Sequence, residues 1–321
     1  MSQHRCLFCY QKLDAGQTDF HPKCSKRFFG TETAPVLDYS GAEMRELAQQ
    51  VVARSIAVTG VQPKLSLQLQ KDRSGGNDFR LTIVGLWGSF ILKPPSPDYR
   101  NLPENEDLTM HLAAHFGIET AEHSLIRFST GELAYITRRF DRTKKGKLAL
   151  EDFCQISETL TADKYRGSME KIGKLLRQLS SRPGLDAITL FELTLFCFLT
   201  GNADMHLKNF SILTQQNKKT RLLEPVLSPA YDLLNTKIAL PADQEEMALT
   251  INARKRKLTR NDFDLLGSNY GIAEKALENT YRRFERRKPG VKEWISTSFL
   301  PVELQQAYFA LFEERWSRIF G

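Results

Sequence analysis

Leu65, Leu67 and Leu69 alternate with Ser66, Gln68 and Gln70. That is the period of a strand with one buried face. Leu81-Thr-Ile-Val84 and Ser89-Phe-Ile-Leu-Lys93 keep the extended pattern and read as a hairpin about Gly85 to Gly88, stopped by Pro94, Pro95 and Pro97. Upstream, Met44, Leu47 and Val51 recur at helical spacing over 41–54. Glu104 to Phe116 reads as a helix closed by Gly117, and Ser124–Phe128 with Glu132–Thr137 as a second hairpin. After Asp141 the period becomes helical, with helices expected at 168–181, 187–200, 261–266, 272–287 and 301–319. Ser168 is the expected N-cap of the first, and Leu175, Leu176 and Leu179 its apolar face. Leu190 to Leu199 is apolar almost all round but too short for a bilayer, so it reads as a buried core helix. The polar run Thr214–Thr220 reads as a hairpin tip.

These elements predict an α+β chain in which a small β-rich lobe precedes a larger helical one. The expected division is a small module at 1–30, the β-rich lobe at 31–140 and the helical lobe at 141–321. A cleft between two lobes is a natural nucleotide site.

Composition narrows the class. The 321 residues are 41% hydrophobic, enough for a sizeable core, and carry a formal charge of +7. No apolar run approaches the ~20 residues of a membrane helix, and the first residues lack a signal-peptide core. Five cysteines, an odd number, argue against a disulfide framework. A soluble cytoplasmic protein without membrane association is expected. The basic runs Arg254–Lys257, Arg282-Arg283 and Arg286–Lys288 can attract anions, nucleic acid included, or be solvated helical faces, the reading favoured here. Aromatic residues are not interleaved with them as in RNA-reading sheets, which disfavours direct nucleic-acid reading.

Gly201-Asn-Ala-Asp204-Met-His206-Leu-Lys208-Asn209 is the densest polar cluster, and it follows the buried helix directly. Turns need only one or two such residues. An acid, an amide five residues on and a second acid at Asp232 are the set that phosphoryl transfer uses. Asp204 would orient an acceptor hydroxyl and take its proton, while Asn209 and Asp232 would hold Mg²⁺ on the nucleotide phosphates. Lys208 and His206 belong to the same candidate catalytic loop, and a lone His without partners at ligand spacing reads as an organiser of it. Lys93 ends an apolar strand, where it could neutralise phosphate charge, or merely protect a sheet edge. Glu106, early in the expected helix, could pair with Lys93 and fix its position, or be an ordinary first-turn glutamate favoured by the helix dipole. Gly60, Gln62 and Lys64 form a candidate phosphate loop, with Gly60 allowing close backbone approach. Ser55 and Thr59 lie just upstream of it. Arg138, Phe140 and Asp141 sit where the lobes should join; backbone there could bind adenine and Asp141 could accept from ribose hydroxyls, or the segment is simply a charged interlobe linker.

A separate signal lies at the start of the chain. Cys6-x-x-Cys9 and His21-x-x-Cys24 have the spacing of a zinc knuckle, whose metal would be structural because all four ligands come from protein. Cysteine and histidine can also occur in small turns without metal. Cys154 and Cys197 lie in apolar patterns and read as core.

Taken together, Gly60-x-Gln62-x-Lys64, Phe90-Ile-Leu-Lys93, Asn105-Glu106, Arg139-Phe-Asp-Arg142, Glu151-Asp-Phe-Cys-Gln155, the Gly201–Asn209 run and Ala230-Tyr-Asp232 resemble the HipA-like serine/threonine kinases of bacterial toxin–antitoxin systems. The resemblance implies a two-lobed protein-kinase-like fold, ATP with Mg²⁺, and an aminoacyl-tRNA synthetase as the phosphorylated target. It also implies autophosphorylation of a serine in the phosphate loop. Counted back from Gly60 that serine falls at Ala57, so Ser55 becomes the candidate. Few residues precede the helix at 41–54, which resembles the short HipT-like branch of three-component systems. That branch implies a separate small antitoxin supplying the missing N-terminal subdomain, a helix-turn-helix repressor through which DNA is contacted indirectly, and tryptophanyl-tRNA synthetase as target. Two other readings use the same residues: a kinase of a small hydroxylated metabolite, and a non-catalytic protein that binds nucleic acid or a repressor.

Overall fold

The computed structural model describes residues 4–54, 64–71, 79–84, 87–217 and 219–321. Packing divides the chain into two units. The first comprises Met1–Asp107, Ala121–Phe140 and Thr297–Phe299, and the second Leu108–Thr120, Asp141–Ser296 and Leu300–Gly321.

The first unit begins with helix α1 (Pro22–Phe29), started by a proline at its first turn and closed by Gly30, followed by α2 (Gly41–Arg54). Strands β1 (Leu65–Lys71), β2 (Phe79–Ile83) and β3 (Phe90–Lys93) come next, then α3 (Leu102–Phe116), β4 (His123–Arg127) and β5 (Leu133–Arg138). The change of unit falls inside α3. The five strands form one antiparallel sheet in the order β2-β1-β3-β5-β4. The alternation at 65–70 predicts this strand well: Leu65 and Leu67 are buried and Ser66 and Gln68 only half-buried. The hairpin expected of the next two segments does not form. β2 and β3 lie on opposite sides of β1, with Leu67 facing Ile83 on one side and Phe90 on the other. A strand with a buried face gains a hydrogen-bond ladder from each edge, and periodicity cannot tell which neighbour takes which edge. The Ser124–Thr137 hairpin does form, as β4 and β5. The core of the unit joins Leu65, Leu67, Phe90, Leu92, Leu125 and Ile136 to Leu7, Phe20, Phe28 and Phe29 from the first thirty residues.

The second unit holds a two-stranded ribbon, β6 (Arg142–Thr143) with β7 (Gly146–Lys147), and strand β8 (Ala149–Asp152). Helices α4 (Phe153–Ile156), α5 (Met169–Leu179) and α6 (Pro183–Leu199) follow, then strands β9 (Ser211–Gln216) and β10 (Leu223–Leu227). The chain continues through α7 (Thr236–Ala239), α8 (Arg260–Asn269), α9 (Glu274–Arg287), α10 (Val291–Thr297) and α11 (Val302–Phe320). Strands β8, β9 and β10 form a three-stranded sheet with β9 in the centre. The sequence reading anticipated only its hairpin tip. Ser168 caps α5 by accepting from the Lys171 N–H at 3.2 Å. The buried face of α5 is Met169, Ile172, Gly173 and Leu176, and Leu179, expected on it, is 42% exposed. Helix α6 begins earlier than expected, at Pro183, where a residue without an N–H costs no helical hydrogen bond. From Leu190 to Leu199 every residue of α6 is buried. Its polar Thr194 is satisfied within the helix, donating to the Leu190 carbonyl at 2.7 Å. Among the described residues no helix is long and apolar enough to cross a membrane. All five cysteines are free thiols.

Candidate active site

Helix α6 is capped by Thr200, and the chain turns out of it through Gly201 at φ 69°. A side chain there would be strained, and its Cβ would lie 2.4 Å from Leu311 Cδ2. Beyond this turn the backbone is tied down residue by residue. The Asn202 N–H donates to the Cys197 carbonyl at 2.8 Å, and the buried Asn202 Oδ1 accepts from the Asp204 N–H at 3.1 Å. The Thr236 hydroxyl accepts from the Ala203 N–H and donates to the Gly201 carbonyl, both at 2.9 Å. Asn209 Nδ2 donates to the Asp204 carbonyl at 3.0 Å. The main chain of Asp204 is thus held on both sides, and its half-buried carboxylate is left for chemistry. With Asn209 Nδ2 engaged, Asn209 Oδ1 is the atom that could ligate a cation.

Asp232 comes from another element, and the sheet brings it to the same place. β9 starts two residues after Asn209, and β10 ends a few residues before Asp232. The two strands pair antiparallel with Leu227 opposite Ile212, and the ladder extends through the Ser228 N–H to the Ser211 carbonyl at 2.9 Å. Residues 209 and 232 therefore emerge at one end of a single hairpin. Tyr231 fastens that end: its hydroxyl donates to the Lys208 carbonyl at 2.9 Å and lies 2.6 Å from the Ser211 hydroxyl. Asn209 and Asp232 each sit one residue from this hydrogen bond. Asp232 itself has φ 61°, a conformation costly for a side-chain-bearing residue and found where a carboxylate must point in a set direction.

Two neighbouring groups, Tyr165 and His206, feel both acids. Tyr165 OH donates to Asp204 Oδ1 at 2.5 Å. Burial first, then this bond and the nearby charges of Asp204, Asp243 and Asp232, push the phenol up, so it stays a donor. The same two acids, Asp204 and Asp232, act on His206, whose ring packs edge-on against Tyr165 with centroids 5.0 Å apart. Burial outweighs them and lowers His206 below its ordinary value. A neutral imidazole packed against Tyr165 fits the role of loop organiser. Lys208 Nζ pairs with Asp152 Oδ2 at 2.9 Å. Asp152 also caps α4, accepting from the Gln155 N–H, so the lysine is anchored to a fixed carboxylate.

In the first unit Lys93 ends β3 with only 7% of its surface exposed. Its ammonium pairs with Glu106 Oε1 at 2.6 Å and lies over the Tyr135 ring at 5.4 Å. Glu106, in the first turns of α3, is 1% exposed. A buried cation is tolerable only if paired, and this pairing fixes where its charge is displayed. Lys64 is exposed just ahead of β1. Gly60, Gln62, Ser55, Ala57 and Thr59 lie outside the described residues. Arg138 ends β5 and pairs with Glu122 at 3.4 Å. Phe140 is half-buried. Asp141, in the second unit, is buried against the Arg142 guanidinium at 2.5 Å, so a ribose hydroxyl would have to share that carboxylate. Cys6, Cys9, His21 and Cys24 are brought together, their ligand atoms all within 4.8 Å of one another.

Three residues of the cluster were not singled out by sequence. Tyr165 lies 39 positions before Asp204 with no motif around it. Tyr231 and Asp152 lie inside quoted motifs, but their roles, fastening Lys208 and pairing with it, need the sheet that sequence reading did not foresee.

The family model described as the HipA-like C-terminal domain matches residues 56–291. Y4dM of Sinorhizobium fredii, a protein named as a kinase, is 32% identical over 255 residues, covering 75% of this chain and 60% of that protein. The serine/threonine-protein kinase toxin HipA of Shewanella oneidensis is 25% identical over 278 residues, covering 79% of this chain and 60% of the toxin. The chain thus spans about 60% of the length of each of these relatives. Among solved structures, the toxin–antitoxin complex of Shewanella oneidensis HipA with HipB and operator DNA contains a chain of the same fold. The TM-score is 0.64 at 22% identity, over 85% of this chain and 70% of that one. The fold is therefore of the two-lobed kinase kind.

Proposed function

This chain belongs to the HipA-like C-terminal domain family, and from that premise we propose that it is an ATP-dependent serine/threonine protein kinase acting as the toxin of a toxin–antitoxin system. The observation that carries the reading is the Tyr231–Lys208 hydrogen bond, which sets Asn209 and Asp232 at one end of the β9/β10 hairpin beside Asp204. Their oxygen donors, an amide and a carboxylate, suit a hard divalent cation such as Mg²⁺. Bound there, Mg²⁺ would neutralise charge on the β- and γ-phosphates of ATP.

The protein's own groups divide the remaining work. Asp204 orients the acceptor hydroxyl and accepts its proton, and Tyr165 fixes the carboxylate that does so. Lys208 supplies positive charge beside the transferred group while Asp152 keeps it in place. Lys93, held by Glu106, offers a second fixed charge to the nucleotide phosphates. Little covalent chemistry is asked of the protein, so positioned charge is the catalyst. His206 keeps the loop in shape.

The acceptor would be an aminoacyl-tRNA synthetase, tryptophanyl-tRNA synthetase in the short-branch reading. Ser55 would be the autophosphorylated residue. The partners would be a small antitoxin supplying an N-terminal subdomain and a helix-turn-helix repressor that contacts DNA. The solved relative's complex with HipB and operator DNA favours partners of the repressor kind.

Incubation with γ-labelled ATP and Mg²⁺ tests the reading. Label should enter a synthetase, and Asp204→Ala should lower its transfer about 10³-fold. Label confined to a small molecule would reassign the substrate, and absence of any transfer by the native chain would remove the activity.

A further inference from the structure

The module over residues 4–30 carries a cluster that the kinase reading does not use. Cys6 is fully buried, Cys24 is 6% and His21 is 9% exposed, and Cys9 is half-buried. Three thiols and an imidazole brought to one spot are the ligand set that Zn²⁺ takes. Two separations are informative. His21 Nδ1 lies 3.5 Å from Cys9 Sγ and 3.7 Å from Cys24 Sγ. Zn–S bonds of about 2.3 Å and Zn–N bonds of about 2.0–2.1 Å set tetrahedral edges of about 3.5 Å between N and S and about 3.8 Å between sulfurs. No ligand atom is more than 4.8 Å from another, so closing the widest edge needs a shift of at most about 1 Å.

The surroundings fit the same chemistry. His21 Nε2 lies 2.9 Å from the Lys12 carbonyl. A carbonyl only accepts, so the ring proton sits on Nε2 and the Nδ1 lone pair faces the thiols. That second contact is the usual orienting device of a metal-bound histidine. Cys6 and Cys9 flank a tight turn closed by the Tyr10 N–H on the Cys6 carbonyl at 2.9 Å, with Tyr10 at φ 61°. Segments this short rarely hold such a turn with apolar packing alone.

We propose that Cys6, Cys9, His21 and Cys24 bind one structural zinc ion, and that this ion braces the module against the sheet and helix that position Lys93 and Glu106. The bracing contacts start from residues of the turn itself. The Leu7 carbonyl accepts from the Leu125 N–H at 3.3 Å and from the Ser124 hydroxyl at 3.2 Å, both on β4. The Tyr10 hydroxyl donates to Asp107 Oδ2 at 2.6 Å, and the other oxygen of that carboxylate meets His123 Nδ1 of β4 at 2.7 Å. Asp107 directly follows Glu106, the partner of Lys93. With the ion gone, the turn loses its fixed point, and β4 and the start of α3 lose a support. The proposal stands apart from the kinase reading, since it concerns metal content and rigidity.

The test uses the full chain purified without chelator. Elemental analysis should find one zinc per chain. Replacement by Co²⁺ should give the visible absorption of a tetrahedral thiolate site. His21→Ala should lose the metal, and His21→Cys, which keeps four ligands, should retain it. Stripping with a chelator should lower the melting temperature and speed hydrogen exchange in β4 and the first turns of α3. If the native chain holds no zinc and its three thiols titrate freely, the proposal fails. It fails equally if His21→Ala retains a full equivalent, because the ion would then lie elsewhere. Metal bound at one equivalent but stripped without any change in melting or exchange overturns the bracing.

Discussion

The Asp204 loop and the cysteine-bearing module both hold a short irregular segment in one conformation, but by different means. The loop stands on α6, a helix buried through its last ten residues, Leu190–Leu199. It is tied by Asn202, Asn209 and Thr236, whose side chains replace the missing ladder hydrogen bonds. The module has a single short helix and gathers three thiols and an imidazole where the loop gathers amides and hydroxyls. Amides and hydroxyls satisfy backbone groups directly, whereas thiols do so only weakly. The loop is thus pre-organised by the chain alone, and the module calls for an ion. A phosphoryl-transfer site needs its ligands in place before the cation arrives, since positioning is most of what it contributes.

A loop held by its own backbone has its largest consequence in kinetics. Asp204→Ala should remove about 10³-fold of phosphoryl transfer with the melting temperature unchanged, because the loop is held through its backbone. A matching fall in stability would mean that the carboxylate is structural. Next, Gly201→Ala should cost about 2–3 kcal/mol in denaturant unfolding, from a left-handed backbone and a Cβ driven onto Leu311. Tyr231→Phe should cost about 1 kcal/mol, measured the same way. It should also weaken Mg²⁺-dependent nucleotide binding by loosening Asn209 from Asp232, and unchanged binding would separate Tyr231 from the site.

The smallest effect is a pH dependence outside the loop. Burial alone would raise the Glu246 carboxyl, but hydrogen bonds from Arg318 and the Leu258 N–H, with Arg315 near, hold it below its ordinary value. A carboxyl lowered in the folded state contributes stability above its unfolded pKa and loses it as pH falls through the folded value. Melting scans below about pH 4.5 should therefore show a steeper acid fall for the native chain than for Glu246→Gln.

Much of the site could be read from sequence because its chemistry is local. Asp204, His206, Lys208 and Asn209 sit in nine residues behind an apolar helix, and the structure ties Asn209 to Asp204 within that loop. The start of α5 and the end of α3 followed from Ser168 and Gly117, residues whose backbone preferences act at short range, whereas the start of α6 at Pro183 was placed four residues too late. What could not be read was pairing. The alternation at 65–70 gave a strand but not its neighbours, so β2 and β3 were joined as a hairpin where β1 lies between them. Strand β8 was missed because its four residues, Ala149–Asp152, carry one large apolar side chain, none of them is fully buried, and they pair with β9 alone. Tyr165 escaped for the same reason. Its bond to Asp204 spans 39 residues and depends on tertiary packing that no local pattern records.

In the proposed function Asn209 and Asp232 form a cation site beside Asp204. The most direct measurement is calorimetric titration of ATP into the native chain and into Asp232→Asn, with and without Mg²⁺. The native chain should bind nucleotide far more tightly with Mg²⁺ present, and Asp232→Asn should lose most of that gain while melting normally. Equal Mg²⁺ dependence in the two proteins would contradict the assignment.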